Sequence, residues 1–335
     1  MRNKIYFLIS LGLVLGLAWL SIRLGKINPV LEFPFWAVLG GLFIGSLLRL
    51  PERLKTAAKT EPYIKTGLIL LGASINFGVI LSVGSRGIIQ ALIGVPLVFL
   101  FTYFVARRFR LDEKFAAVLS TAVSICGVSA AIAAGSAIFA KKEHLAYVVT
   151  MIIFGALALM FIQPYLAKEL DLSPAVAGSW IGNNIDNTAA VVGAGKLHSE
   201  GAMKVASIVK MSQNTLIGLA TFLLALWFAF KRKEQNIKVG VREIWNRFPK
   251  FVLGFILFSV LASIGVFSSA MVKEWLNPIR IWLFAMAFVS IGMTVSFGEL
   301  RKIGGKPLVV FLTATVFNLI MAFVLANLFF GNYTI

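Results

Sequence analysis

The sequence predicts an all-α membrane protein with about 11 transmembrane helices, inverted repeats and two interrupted helices. Three observations carry this prediction. Of the 335 residues, 59% are apolar and 14% charged, where a soluble globular chain has roughly 45–50% and about 25%; the mean hydropathy is +0.89. The apolar residues gather into runs near the roughly 20 residues that cross a hydrocarbon layer of about 30 Å as a helix. A short segment also recurs in reversed orientation. This composition excludes a disordered chain, a disulfide scaffold and most soluble enzymes. The single cysteine is Cys126, and the two histidines are His144 and His198. These are too few and too scattered for a zinc site, so no metal and no cofactor are expected.

The apolar runs, in order, are 5–22, 34–50, 64–83, 88–106, 114–140, 144–167, 174–195, 202–230, 250–272, 279–298 and 306–330. The first exceeds a signal-peptide core in length and no Ala-x-Ala site follows it, which predicts a retained span. Connections are short, the longest being the basic stretch from Lys231 to Lys250, so residues 1–335 read as a single multi-spanning membrane domain. Counting Lys and Arg by connection places 22 on the side of the N-terminus and 9 on the other. That asymmetry puts the N-terminus in the cytoplasm and Ile335 outside, in a bacterial plasma membrane. The formal charge of +18 thus reports orientation against membrane lipid, and no nucleic-acid partner is expected.

Gly72-Ala73-Ser74-Ile75-Asn76-Phe77-Gly78 matches Gly292-Met293-Thr294-Val295-Ser296-Phe297-Gly298, and Gly84 and Arg86 then fall on Gly304 and Lys306. Repeat elements therefore lie near 64–106 and 279–330. By the span count they run in opposite directions, which is the signature of inverted-repeat secondary transporters. Ser129-Ala130-Ala131-Ile132 echoes Thr188-Ala189-Ala190-Val191 more weakly. The count gives these two the same orientation, so either one segment is re-entrant or the count is off by one. Gly12 with Gly16, and Gly41 with Gly45, read as close-packing seams. Trp36, Trp180 and Trp275 read as interface anchors or packing.

Two spans are interrupted by small and polar residues: Ser120 to Ser129, and Gly178 to Thr188. Broken backbone at membrane depth is costly unless it lines a cavity or meets a ligand. A second half-helix presents its positive N-terminus at the break, a cradle for an anion. Ser129, and Asn187 or Thr188, stand where they would cap such half-helices. The run Asn183-Asn184-Ile185-Asp186-Asn187-Thr188 is too polar for packing alone. Only Asp186 and Lys210 fall deep within spans, where a charge costs roughly 2.5–3.5 kcal/mol and pairs or serves a pathway. Each lies 12 residues from His198, the centre of the hairpin between spans seven and eight, hence about 18 Å deep. They are expected to pair or to face one cavity. Gln213 and Asn214 lie within a turn of Lys210, Asn214 on its face. Asn76, Ser74, Thr294 and Ser296 lie near span ends, where they line a vestibule or satisfy helix termini.

Ile125-Cys126-Gly127-Val128-Ser129-Ala130, Gly182 to Val192, and Val209-Lys210-Met211-Ser212-Gln213-Asn214 resemble the YeiH-like family of bacterial membrane proteins, described as sulfate exporters. The resemblance covers nearly the whole chain. The family is similar to sodium/proton antiporters and bile-acid symporters, which implies two inverted repeats, a core of crossing broken helices and a panel domain. Some relatives carry a His-acidic pair where this chain has Asp186-Asn187, so a His-based proton relay is not carried over.

The expectation is a secondary active transporter of a small anion, with sulfate export implied by the resemblance. Gly127, Ser129, Asn183, Asn184, Asp186, Asn187, Thr188, Lys210 and Asn214 would bind substrate or coupling ion. Lys210 would neutralise the anion or Asp186, while Asp186 would carry H+ or help bind Na+. A homo-oligomer is a further candidate assembly. The rival readings are a sodium-coupled importer of an organic acid and an anion channel. The sequence lacks Gly-x-Ser-x-Gly, His-Glu-x-x-His and a phosphate-binding Gly-x4-Gly-Lys-[Ser/Thr] loop, so neither an intramembrane enzyme nor an ATP-driven pump is expected.

Overall fold

The computed structural model describes residues 2–27, 32–48, 50–232, 245–246, 248–295, 298 and 304–333. Every regular element among them is helical. In chain order these are α1 Arg2–Ile27, α2 Phe33–Leu42 with a π-turn to Leu47, α3 Thr60–Gly72, α4 Phe77–Arg108, α5 Glu113–Ser124, α6 Val128–Ala137 and α7 Lys142–Glu169. They continue as α8 Pro174–Asn184, α9 Thr188–His198, α10 Glu200–Thr215, α11 Ile217–Arg232, α12 Phe251–Ser263, α13 Asn277–Thr294 and α14 Gly305–Phe330. Among the described residues, six stretches are long and apolar enough to cross a membrane: Lys4–Ile27, Phe77–Arg108, Lys142–Glu169, Glu200–Phe230, Ser269–Thr294 and Gly305–Phe330. Their outward faces are oily. On α14, Leu312, Val316, Ile320, Val324 and Leu328 recur every four residues and are all exposed, while Phe311, Ala314, Asn318, Ala322 and Leu325 form the buried stripe. That two-faced pattern is what a helix at the rim of a lipid-embedded bundle requires.

The helices form two groups. One contains α1, α2, α3, α12 and α13; the other contains α4 to α11 and α14. Contact between the groups runs mainly through α9, which touches α2, α3 and α13, and through α12 against α4. Small residues make the tightest joins in the first group. Gly41 and Gly45 of α2 lie against Val289 and Met293 of α13, where any side chain would collide with backbone. Gly72 of α3 packs on the Phe255 carbonyl of α12, and Gly292 of α13 on the Val38 carbonyl of α2. The two matched glycines of the repeat therefore do the same job. Nothing lies within 4 Å of a side chain built at Gly12 or Gly16, so that pair is not a packing seam.

The largest departure from the sequence reading concerns the two interrupted spans. Each breaks where expected, but each then folds back on itself. In the first, Lys114 at the start of α5 donates to Phe139 O just beyond α6 (3.4 Å), and Asp112 lies 3.6 Å from His144 at the start of α7. In the second, Gly178 of α8 and Gly195 of α9 both pack on Ala202 of α10. Straight interrupted helices would hold these ends about 37 Å apart in the first segment and about 25 Å apart in the second. Both segments are hairpins, so the crossing broken helices implied by the family resemblance are not what forms here. Because α7 crosses between them, the hairpins enter from opposite faces: α5–α6 from the face where α4 ends (the proximal face), α8–α9 from the face where α7 ends (the distal face).

A second departure is the position of the third boundary. The runs 64–83 and 88–106 break instead at Ala73–Asn76, and α4 continues through Gly84, Ser85 and Arg86. Asn76 caps α4 by accepting from Gly78 N at 2.8 Å. Gly84 and Gly87 face Ile208 and Ser212 of α10 as packing glycines. Arg86 reaches the end of α14, 4.4 Å from the ring of Tyr333. The basic connection from Lys231 to Lys250 and Ser296 of the repeat lie largely or wholly outside the described residues.

Candidate functional site

Helices of 12 and 10 residues, and of 11 and 11, reach roughly 15–18 Å, half of a hydrocarbon layer of about 30 Å. The two tips therefore meet near the middle of the bundle. Gly127 at the first tip has φ +66° and lies so close to the Asp186 carbonyl at the second that a Cβ would collide with it. That approach makes glycine obligatory there for two independent reasons: the left-handed φ and the absent space.

A helix ending in the apolar interior leaves its last carbonyls unpaired. The accounting at the end of α5 is complete. Ala122 O accepts from Gly127 N (2.9 Å), Val123 O from Asn318 Nδ2 (3.2 Å), Ser124 O from Gln213 Nε2 (3.1 Å) and Ile125 O from Lys210 Nζ (2.6 Å). The same two amides serve the end of α8: Gln213 Nε2 also donates to Asn183 O and Oδ1 (3.2 Å each), and Asn318 Nδ2 to Asn184 O (3.3 Å). Lys210 donates in addition to Gln213 Oε1 (2.6 Å), and Asn184 Nδ2 to Gln163 Oε1 (2.8 Å). Lys210 thus brings a positive charge to the negative end of a helix dipole. It is fully buried and forms no ion pair with Asp186, and neither residue lines the cavity described below, so the two neither pair nor face one cavity as expected. Asp186 is 5% exposed, and its Oδ1 has no hydrogen-bond partner.

A cavity of about 810 Å³ lies against the tips. Its inner wall includes Cys126, Val128, Ser129, Asn187, Thr188, Ala189 and Asn214. Thr60, Glu61 and Lys65 of α3, Phe248 to Phe251 before and within α12, and Thr294 of α13 complete it. The cavity therefore sits between the two helix groups on the proximal side. Of the nine expected site residues, Ser129, Asn187, Thr188 and Asn214 face it, while Gly127, Asn183, Asn184, Asp186 and Lys210 are packed into the tips behind that wall. Lys210 is thus placed to hold the hairpins, not to meet a solute in the cavity.

Among the capping expectations, Asn187 caps α9 through Ala190 N (3.0 Å), with Thr188 the first helical residue. Ser129 does not cap α6. That helix starts at Val128 with Gly127 as its N-cap, and Ser129 is exposed to the cavity. Thr188 Oγ1 accepts weakly from Asn214 Nδ2 (3.4 Å), and Asn214 Oδ1 is buried without a partner. The first residues of α6 and α9, whose leading amides have no carbonyl one turn earlier, line this wall. Two helix N-termini, with a hydroxyl at each and an amide alongside, give this wall partial positive charge and hydrogen-bonding groups. Trp180 is buried and donates to Leu319 O (2.9 Å), so it packs rather than anchors. Among the described residues, no group of three or more His, Cys, Asp or Glu could hold a metal ion.

Sequence reasoning passed over Asn318. It is the amide in the middle of the apolar run of α14, on the stripe of Ala314 and Ala322, with Asn327 the other, near the end of the helix. An isolated polar side chain at that depth is itself a signal.

Comparison with known proteins gives a match to the family model Conserved hypothetical protein 698 over residues 8–311. A UPF0324 membrane protein of Rhodopirellula baltica is 38% identical over 90% of this chain, and one of Nitratidesulfovibrio vulgaris is 37% identical over 88%. The chain spans 58% and 54% of the length of those two relatives. A UPF0324 membrane protein of Streptococcus agalactiae is 28% identical over 92% of both chains. No solved structure matches.

Proposed function

This chain belongs to the family Conserved hypothetical protein 698, matched by UPF0324 membrane proteins, and from that premise we propose that it is a secondary active transporter of a small anion. The observation that carries the reading is the pair of hairpins dipping from opposite faces, meeting tip to tip at the floor of a cavity between two helix groups. A cavity ending on two helix N-termini favours an anion, and sulfate is the member of that class the family resemblance suggests. Substrate sites between repeats at mid-depth, where backbone is broken, are a recurring transporter arrangement.

The proposed topology has nine crossings and two re-entrant hairpins, which accounts for all eleven apolar segments. It resolves the conflict over the Ser129 and Thr188 echoes, since hairpins from opposite faces are the opposed pair an inverted repeat needs. It also moves Lys141 and Lys142 to the side of the N-terminus and Lys168 away from it, sharpening the asymmetry that places the N-terminus in the cytoplasm. The proximal face is then cytoplasmic.

The test is counterflow of radiolabelled sulfate and other small oxyanions into proteoliposomes. Saturable uptake of at least one is expected, and Thr188→Val with Asn214→Leu should reduce it at least tenfold. Wild-type flux in that double variant would remove the cavity wall as the binding site. Replacing sodium by choline in the same assay separates sodium coupling from proton coupling, and conduction without saturation would identify a channel.

A further inference from the structure

On the distal side of the tips, the two helix groups are joined by charge. Lys196, near the end of α9, lies 3.2 Å from Glu32, the residue before α2, and 3.4 Å from Glu200 at the start of α10. Glu200 lies 3.1 Å from Nη2 of Arg280 on α13. Charges alternate along the chain Glu32, Lys196, Glu200, Arg280, and two of its three links cross between the groups. Arg280 is 6% exposed. Its Nε and Nη1 have no partner, so its one bond to Glu200 is what compensates a nearly dry guanidinium.

The placement is what gives this network meaning. The cavity reaches the tips from the proximal side, between α3, α12 and the end of α13 on one hand and α6 and α9 on the other. The charge network closes the same seam at the opposite face. Both of its crossing links fasten hairpin α8–α9 and its neighbour α10 to α2 and α13. A side chain pair at a half-exposed site contributes little alone, but a network of four anchored on a buried arginine is not of that kind.

We propose that Glu32, Lys196, Glu200 and Arg280 form a latch that holds the distal face shut while the proximal cavity is open, and that breaking it lets the hairpin-bearing group swing so that the site opens distally. The inference rests on the transporter reading, but its test does not require transport. Cys126 is the sole cysteine and, though only 6% exposed, lines the cavity, so the rate at which it reacts reports access to the tips from each face. Its rate of reaction with a membrane-impermeant, negatively charged maleimide is measured in vesicles of both orientations. In the wild type, labelling is expected from the proximal face. Glu200→Gln, which removes the partner of Arg280 and one partner of Lys196, should raise labelling from the distal face at least threefold and lower it from the proximal face. Glu32→Lys should act in the same direction, while Glu200→Asp, which keeps the carboxylate, should stay near wild type, which guards against simple misfolding. Unchanged labelling from both faces in Glu200→Gln and in Glu32→Lys overturns the latch. Oxyanion counterflow in the same vesicles keeps the two ideas apart. A switch in labelling without flux of any anion defeats the transporter reading alone, and flux with latch-insensitive labelling defeats the latch alone.

Discussion

The amino group of Lys210 sits at 0% exposure, deep in a bundle where an unpaired ion would cost several kcal/mol. The end of α5 compensates it, because Ile125 O is an orphan carbonyl at the negative end of a helix dipole. Gln213 and Asn318 extend the same logic with neutral donors, each bridging the two tips. Their value lies in what would be left unpaired without them. Asn318→Leu keeps the volume but strips donors from Val123 O and Asn184 O. At about 1–3 kcal/mol for each of the two buried groups left unsatisfied, the expected loss is about 2–6 kcal/mol, read as a lower midpoint in thermal or denaturant unfolding of the purified protein. A variant as stable as wild type would show that the bridge contributes nothing. Asp186 differs from Lys210 in that one of its carboxylate oxygens, Oδ1, is buried at the tips without a hydrogen bond.

Among the elements, the hairpins depend on how each second arm begins. On α9 the start is fastened by Asn187, whose side chain takes the Ala190 amide; on α6 it is a glycine with no side-chain cap. Asn187→Ala should therefore cost about 1 kcal/mol, the usual value of a lost N-cap. Ser129→Ala, one residue past the start of α6 and facing the cavity, should leave stability unchanged within about 0.5 kcal/mol. Thermal unfolding of both variants side by side checks the pair. Equal losses would mean that Ser129 caps α6 after all.

For the whole molecule, the decisive question is which faces the connections occupy. Two hairpins put residues 139–142 on the same face as 109–112, and 199 on the same face as 170–173. Two straight interrupted spans would put each pair on opposite faces. A topology reporter inserted after Ala140 is expected on the cytoplasmic side, matching one after Arg110, and a reporter after Asp171 on the opposite side. Opposite locations for the first two would remove the hairpin and with it the meeting of the tips. In this arrangement the positive-inside asymmetry and the depth of the tips become one statement, since only segments of half-membrane length leave Lys141 and Lys142 on the basic side.

Composition and run length alone determined that this is a helical membrane protein, and the small-polar runs at Ser120–Ser129 and Gly178–Thr188 located both breaks, because neither signal depends on what packs against the chain. The reversed repeat was legible for a similar reason: Gly72 and Gly292 each meet a neighbouring carbonyl, a demand written locally as glycine. Tertiary structure decided the rest. A 10–12-residue half-helix looks the same whether the next one continues or turns back, so hairpins cannot be told from interrupted spans until α10 and α7 are seen beside them. Gly84 and Gly12 show the same limit, since a glycine reads alike in a loop, a seam or an open helix face. The partner of Lys210 was equally out of reach: a backbone carbonyl leaves no mark on the sequence, and the helix end that needed a charge was 85 residues away.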